Sequence, residues 1–302
     1  MEGIISAMGG IILIDKPAGI TSSEVVRRIK AIVKPARVGH LGTLDPFATG
    51  VLPIMIGEAT RLAQFLEGGA KQYQGVIALG VETDTLDRDG ATIRAAAIPA
   101  LDRVRLDALA ARFTGTIEQV PPIFSALKRD GERLYDLARR GGAVAPPPPR
   151  RVEIHRLTLE PAGDSSIRFS VECSPGTYIR SLARDIGAAL GSAAHLAELR
   201  RVRNGAFVIE DAHPLDSETL DALRGDGAGR LITMRAALAD LPEVEADADA
   251  GRRIRNGDSR VLDGLVPAGA ALFKVIRAGQ LLAIAQPDSR GGGRIIRVFA
   301  AR

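Results

Sequence analysis

Apolar positions recur along this chain at two spacings, and the changes of spacing mark out its elements. A short apolar run at residues 11–14 predicts a buried strand that delivers the turn Asp15-Lys16-Pro17-Ala18-Gly19. Thr21-Ser22-Ser23-Glu24 has the form of a capping box, and Val25, Val26, Ile29, Ile32 and Val33 then line one helical face until Lys34-Pro35 stops it. Residues 58–66 predict a helix with Ala59, Leu62, Ala63 and Leu66 on one side, 72–81 predict a strand, and Leu106, Leu109, Ala110 and Phe113 mark another helix before a short strand after Gly115. Alternation over 152–159 and 167–173 predicts neighbouring strands joined by a turn at Pro161-Ala162-Gly163-Asp164. Thr177 then reads as the N-cap of a helix whose apolar face is Ile179, Leu182, Ala183, Ile186 and Leu190, which puts Arg180 at its third position. A strand at 206–209 and helices near 217–223 and 229–238 complete this part of the chain.

From Leu241-Pro242 the pattern changes: acidic residues alternate to Asp249, arginines follow, and short strands are predicted near 271–276, 281–285 and 294–299. Two domains are therefore expected, 1–240 and a small β-rich unit over 241–302. Residues 121–151 differ in kind, combining Lys128, Arg129, Arg133, Arg139, Arg140, Arg150 and Arg151 with a Gly-Gly pair, four consecutive prolines and one short helix expected near 131–140. They predict a protruding basic arm. The stretch from Thr83 to Gly90 superficially has the form of a calcium loop, but its first and closing positions are Thr85 and Ala96, so a solvated turn is expected. Residues before Met8 read as a loose extension, with Met1 and Met8 both open as the true start.

Composition narrows the function classes. Of 302 residues, 46% are hydrophobic and 25% charged, which fits an ordinary soluble protein with a sizeable core. Net charge is only +4, but the arginines are clustered, as a polyanion-binding surface requires. Cys173 is the single cysteine, which excludes an internal disulfide and a cysteine-rich zinc site and points to a reducing cytoplasm. The apolar run at 4–14 contains two glycines and a serine and ends at Asp15-Lys16-Pro17, so neither a signal peptide nor a membrane span is expected. The chain has no Walker loop, no Gly-x-Gly-x-x-Gly fingerprint and no metal-ligand framework.

Residues 37–53 are the most informative stretch. Gly39, Gly42 and Gly50 permit unusual backbone angles, Pro46 moves Asp45 out of the helical region, and Val38, Leu41, Leu44, Phe47, Val51 and Leu52 are spaced to anchor the loop on a core. An ordered loop presenting one carboxylate in a partly dry cleft is expected, although Asp45-Pro46 is also compatible with a plain helix N-cap. Gly39-His40-Leu41-Gly42-Thr43-Leu44-Asp45-Pro46-Phe47-Ala48-Thr49-Gly50-Val51-Leu52-Pro53 resembles the signature of the TruB family of tRNA pseudouridine-55 synthases, with Leu41 and Phe47 departing from the small residue and the leucine usual there. Asp15-Lys16-Pro17-Ala18-Gly19, Lys71-Gln72-Tyr73, Ser125-Ala126-Leu127-Lys128, Gly176-Thr177-Tyr178-Ile179-Arg180 and Leu199-Arg200-Arg201 resemble further stretches of the same family.

The resemblance implies an α+β fold, with a mixed, largely antiparallel sheet, flanking helices, an inserted basic arm and a C-terminal PUA-like module. It implies an isomerase that flips a T-loop uridine of tRNA out of its stack and breaks and re-forms the glycosidic bond, without a cofactor. Asp45 matches the nucleophilic aspartate, Tyr73 the active-site tyrosine and Arg180 the arginine that pairs with the aspartate. Tyr178 and Leu199 match pocket residues, His40 a wedge replacing the flipped base, and Lys16 either a phosphate contact or a support for the Asp45 loop. Lys128, Arg139, Arg140, Arg150, Arg151, Arg200, Arg201 and Arg203 are expected to bind RNA backbone. No metal, membrane or obligatory protein partner is expected. The rival from another class is a non-enzymatic tRNA-folding protein using the same grip; a metal-dependent nuclease is a distant third.

Overall fold

The computed structural model describes residues 9–125, 145–225 and 229–299, together with the backbone of 128–129 and 132–133. A mixed sheet forms the frame. In spatial order it runs through His213–Pro214, Gly10–Lys16, Thr49–Ile56, Ala194–Asn204, Lys71–Leu79, Ser166–Cys173, Arg150–Pro161 and Gly115–Gln119, with Val38–His40 and Phe207–Val208 paired at its side. Most neighbours are antiparallel; Gly10–Lys16 with His213–Pro214, and Ala194–Asn204 with Thr49–Ile56, are parallel. This is the largely antiparallel α+β architecture expected from the sequence.

Burial follows the alternation. Along Lys71–Leu79, Tyr73, Ile77 and Leu79 turn into the principal core, where they meet Val25 and Ile29 of the helix Ser22–Ile32 and Leu182 and Ile186 of the helix Ile179–Ala189. Thr21 caps the first of these helices, its hydroxyl accepting from the Glu24 amide at 3.0 Å, but Glu24 does not complete a capping box. It grips Arg27 and Arg28 instead.

Four expectations fail in instructive ways. Residues 57–66 begin as a 3-10 helix, Gly57–Leu62, before the α-turn Ala63–Leu66. Instead of a helix over 229–238 there is only a 3-10 turn, Ala236–Leu238, because Ile232 exchanges backbone hydrogen bonds with Ile11. Glu132–Arg133 pairs with Lys128–Arg129 as a two-residue hairpin where the arm helix was expected to begin; the rest of that predicted helix, and the extension before Met8, lie outside the described residues. The helix expected to start after Thr177 starts one residue later. The Thr177 hydroxyl donates to Ser174, Tyr178 occupies the N-cap, and Gln119 brackets the Tyr178 backbone, accepting from its N–H at 2.8 Å and donating to its carbonyl at 3.0 Å. Arg180 is therefore the second helical residue, not the third.

After Pro242 a second sheet forms in the order Glu243–Glu245, Phe273–Arg277, Gln280–Pro287, Gly293–Val298, with a helix Ala248–Arg255 that the alternating acidic residues did not predict. It has its own core around Phe273, Val275 and Ala283. A further apolar cluster, with Leu62 and Leu238 on one side and Ile276, Leu281, Ile284 and Phe299 on the other, joins it to the first sheet's flank. Lys274, 4% exposed, crosses the same seam and donates to the Leu238 carbonyl at 2.9 Å. No helix among the described residues is long and apolar enough to cross a membrane.

Candidate active site

The Asp45 loop has no sheet ladder to satisfy its backbone, so buried side chains from elsewhere and two nearby backbone amides do so. Six consecutive carbonyls find donors: Leu41 from Asn204 at 2.8 Å, Gly42 and Thr43 from Arg201 at 3.0 and 3.4 Å, Leu44 from Ser22 at 3.0 Å, Asp45 from the Ala48 amide at 3.1 Å, and Pro46 from the Gly19 amide at 2.8 Å. Lys16 is wholly buried and spreads its ammonium over the Pro17, Ile20 and Pro46 carbonyls at 2.9, 2.8 and 3.2 Å. Leu44, Phe47 and Leu52 anchor the loop in one core and Leu41 and Val51 in another, so it is nailed on both sides. Of the three glycines, two use their freedom. Gly42 has φ +79°, and Gly50, at φ +108°, lies so close to Arg201 that a Cβ would come within 2.2 Å of its carbonyl oxygen. Gly39 sits in an ordinary strand opposite Met55.

On this platform Asp45 meets Arg180. The guanidinium grips the carboxylate with two prongs, Nε to Oδ2 at 2.9 Å and Nη2 to Oδ1 at 3.2 Å, and the carboxylate side chain keeps 33% of its exposure. The remaining Arg180 donors reach the Thr85 and Phe124 carbonyls, both at 2.9 Å, and Nη1 stands 3.5 Å from Oδ2 of Asp87. A cation in the first turn of a helix opposes the macrodipole, and two carboxylates answer it. Asp87 is the residue that sequence reasoning missed. Its segment was expected to be a solvated turn, but Thr83 and Asp87 are buried, because Asp87 accepts from the Thr85 hydroxyl at 2.6 Å and the Asp89 amide at 3.1 Å and faces the arginine. Burial raises the Asp87 pKa, and Thr85 and Arg180 oppose the rise.

The other expected residues divide by burial. Tyr73 is 7% exposed, its hydroxyl beside the Arg201 guanidinium, and burial pushes its pKa up. Tyr178 is half-buried, its pKa likewise raised by burial. Burial is the main influence on Lys16, Tyr73, Asp87 and Tyr178, and the Asp45 charge adds a smaller one to each. His40 ends the strand Val38–His40 with its Nδ1 buried and unpartnered; burial, then the Arg201 charge, lowers its pKa. Leu199 is buried opposite Gly75 and lines a pocket of about 380 Å³ together with Phe47 and Thr49 of the loop.

One expected RNA contact is turned inward, and of the two roles open to Lys16 the supporting one fits. Arg201 is 0% exposed and holds the loop carbonyls, including Val51 at 2.9 Å, because residues 194–204 form a central strand and not a surface run. Lys16 likewise supports the loop and reaches no surface. Arg200 is half-buried in a two-pronged pair with Asp15 at 2.7 and 3.0 Å. Arg150, Arg151 and Arg203 are exposed; Arg139 and Arg140 lie outside the described residues, and only the backbone of Lys128 is described.

Lys16 supports one prediction directly. Replacing it with methionine leaves three carbonyls short of a donor and should cost about 2–4 kcal/mol in denaturant melts. Burial holds its pKa at about 8 against an ordinary 10.5. Between those values the unfolded chain keeps a proton that the native chain has released, so wild-type stability should rise with pH across that window and stay level on either side from this group. Lys16→Met should lack the rise. A variant as stable as wild type would show that the loop does not depend on this ammonium.

Residues 30–179 match the family model described as TruB family pseudouridylate synthase, N-terminal domain, and residues 180–230 match that of the tRNA pseudouridylate synthase B C-terminal domain. The chain is 42% identical over 283 residues to the tRNA pseudouridine synthase B of Xanthomonas campestris pv. campestris (strain 8004), covering 93% of this chain and 91% of that protein. It is 43% identical over 302 residues to the tRNA pseudouridine synthase B of Bradyrhizobium diazoefficiens, covering 96% and 85%. Among solved structures, a chain of a Cbf5–Nop10–Gar1 complex superposes with TM-score 0.72 at 27% identity, covering 99% of this chain and 86% of that one. A chain from an H/ACA RNP bound to a substrate RNA containing 2'-deoxyuridine gives 0.71 at 26% identity, covering 96% and 85%.

Proposed function

The chain belongs to the TruB family of pseudouridylate synthases and acts on tRNA, and from that premise we propose that it converts the uridine at position 55, in the T loop, to pseudouridine, with Asp45 as the reacting carboxylate. The two-pronged grip of Arg180 on Asp45 carries this reading. Gripping the phosphate backbone does not call for a carboxylate, which repels phosphate; a carboxylate aimed by a planar cation and left one-third exposed is suited to chemistry.

A uracil inside a folded RNA must be flipped out before its glycosidic bond can be reached. The N1–C1' bond then breaks, the uracil turns, C5 joins C1', C5 loses its proton and N1 gains one. The sum is an isomerisation that needs no external reactant. Asp45 can drive it by adding to the sugar, adding to the base or removing a ribose proton. In this reading Tyr73 stacks on the base and its hydroxyl lies near the C5 proton, while Tyr178 and Leu199 are the further residues that contact the base. His40, with a free buried nitrogen and a lowered pKa, is a neutral ring suited to fill the gap the base leaves. The exposed arginines Arg150, Arg151 and Arg203, with Lys128, Arg139 and Arg140 of the arm, supply backbone affinity, and residues 241–302 a PUA-like RNA-binding domain. No protein partner enters this reading.

Mass-resolved mapping of pseudouridine in unmodified tRNA incubated with the pure chain tests it. A tRNA bound tightly but unchanged at the T-loop uridine would favour the folding-protein alternative. Neutralising Arg150, Arg151 and Arg203 together should weaken tRNA binding and flatten its salt dependence by roughly one counterion per lost phosphate contact. Arg201→Gln should leave that slope as it is and lower stability instead, since its guanidinium faces the loop carbonyls. A reduced slope from Arg201→Gln would return it to the RNA.

A further inference from the structure

The turn at residues 83–90 is fixed more tightly than its exposed tip requires. Leu86 has φ +62°, a left-handed conformation that leucine keeps only where its surroundings impose it. Three hydrogen bonds do so: the Leu86 carbonyl accepts from the Leu196 amide at 3.0 Å, the Leu196 carbonyl from the Arg88 amide at 3.1 Å, and the Asp87 carbonyl from the Thr83 hydroxyl at 2.6 Å. Thr85 and Asp87, on either side of Leu86, are thereby set against Arg180.

Thr85 touches both charges there. Its carbonyl accepts from Nη1 of Arg180 at 2.9 Å, and its hydroxyl donates to Oδ1 of Asp87 at 2.6 Å. The hydroxyl has this place because residue 90 is glycine; a Cβ there would stand 2.3 Å from it. With Oδ1 engaged by the hydroxyl and by the Asp89 amide, Asp87 presents only Oδ2 to the guanidinium, at 3.5 Å, well beyond the length of a charged hydrogen bond. Asp45 holds the two-pronged contact instead. Depth favours the opposite outcome. The Asp87 side chain is 9% exposed against 33% for Asp45, so on charge alone Asp87 would attract Arg180 more strongly. Burial raises the Asp87 pKa, and the Thr85 hydroxyl opposes that rise more than the Arg180 charge does.

We infer that Thr85 is a positioning residue of the reaction: its hydroxyl holds the Asp87 carboxylate back and its carbonyl occupies Nη1, which reserves the two-pronged edge of a single guanidinium for Asp45. Without the hydroxyl, Asp87 swings onto Arg180 and draws it away, and Asp45 is left unaimed. The effect on turnover rests on the RNA-isomerase reading; the division of the guanidinium between two carboxylates does not.

Thr85→Val removes the hydroxyl and keeps the volume of this half-buried side chain, and Thr85→Ala serves as a second variant. In single-turnover assays on unmodified tRNA each should slow pseudouridine formation about ten-fold, the scale of one hydrogen bond to a charged group, with tRNA affinity unchanged. Thr85→Ser should restore the rate. In an Asp87→Asn background Thr85→Val should slow the reaction no further, because asparagine has no charge with which to compete. A second readout needs no turnover: the nuclear magnetic resonance signal of the Arg180 Nε–H, assigned by its loss in Arg180→Lys. In Thr85→Val it should move towards its position in Asp45→Ala, and in Thr85→Ser it should return. An equal loss of rate in both Asp87 backgrounds, or a Thr85→Ser enzyme as slow as Thr85→Val, would reduce Thr85 to a packing residue and overturn the inference. So would an Nε–H signal that Thr85→Val leaves in place. A signal that moves as expected in a protein whose wild type forms no pseudouridine would uphold the division of the guanidinium and remove the isomerisation.

Discussion

Asp45→Asn should abolish pseudouridine formation, lowering kcat/KM by about 10⁴ or more, the scale seen when a group acting directly in the chemistry is removed. Binding of tRNA should stay within several-fold of wild type or tighten. Asparagine keeps the shape of the side chain, and the backbone grip of Ser22, Arg201, Asn204 and Lys16 on the loop does not involve the carboxylate. What changes is the charge. Asp45 is the exposed member of its pair, at 33% against 7% for Arg180, so its negative charge faces the entering polyanion and its loss removes a repulsion. The loss should therefore fall almost wholly on kcat, as for an interaction made in the transition state and not in the ground state. Single-turnover rates and filter-binding affinities on the same preparation separate the two. Turnover near wild type would move the chemistry off Asp45 and make the loop a binding device.

The loop's rigidity was legible in the sequence, because it comes from local rules: apolar spacing, Pro46 and glycines in strained positions. The donors that satisfy its carbonyls were not, since Asn204 and Arg201 lie more than 150 residues away. Arg201 shows why charge runs mislead. Leu199-Arg200-Arg201-Val202-Arg203 reads as a surface patch, but as part of a central strand it alternates, Arg200 to one face and Arg201 to the other, inward, where sheet neighbours on both sides remove its exposure; a register shift between Arg201 and Arg203 then returns Arg203 to solvent. Thr177 shows a nearer failure. Its hydroxyl has two local uses, and Gln119, 59 residues upstream in sequence, takes over the capping that would have decided between them. Asp87 is the costliest omission. Thr85 and Asp87 flank a residue at positive φ, Leu86 at +62°, a local sign of a constrained turn, but only the return of Arg180 over 95 residues of chain reveals what the constraint serves.

The largest stability effect should come from Arg180, because Asp87 makes it the shared counterion of two carboxylates. Arg180→Ala should leave Asp87, with a side chain only 9% exposed, and Asp45 facing each other without a cation. Breaking a buried pair from one side costs about 3–5 kcal/mol; the part owed to the more exposed Asp45 is smaller, and most of the loss belongs to Asp87. The Asp87 pKa, already raised by burial, should climb further once the opposing arginine is gone. Its raised folded value makes the native state bind a proton that the unfolded state releases, so the variant should lose stability as pH rises through the carboxylate range and regain it in mild acid. Turnover should fall about a hundredfold or more, because the carboxylate loses the planar cation that aims it. Arg180→Lys should rescue poorly, since an ammonium restores the charge but cannot supply two prongs to Asp45 and reach the Thr85 and Phe124 carbonyls together. Denaturant melts of Arg180→Ala, Asp87→Asn and the double variant decide the matter. The double should recover part of the loss, because an asparagine amide needs no counterion, and a matching cycle with Asp45→Ala should show a smaller coupling. Strict additivity in both cycles would mean that Arg180 binds neither carboxylate in solution and is held ready for the RNA.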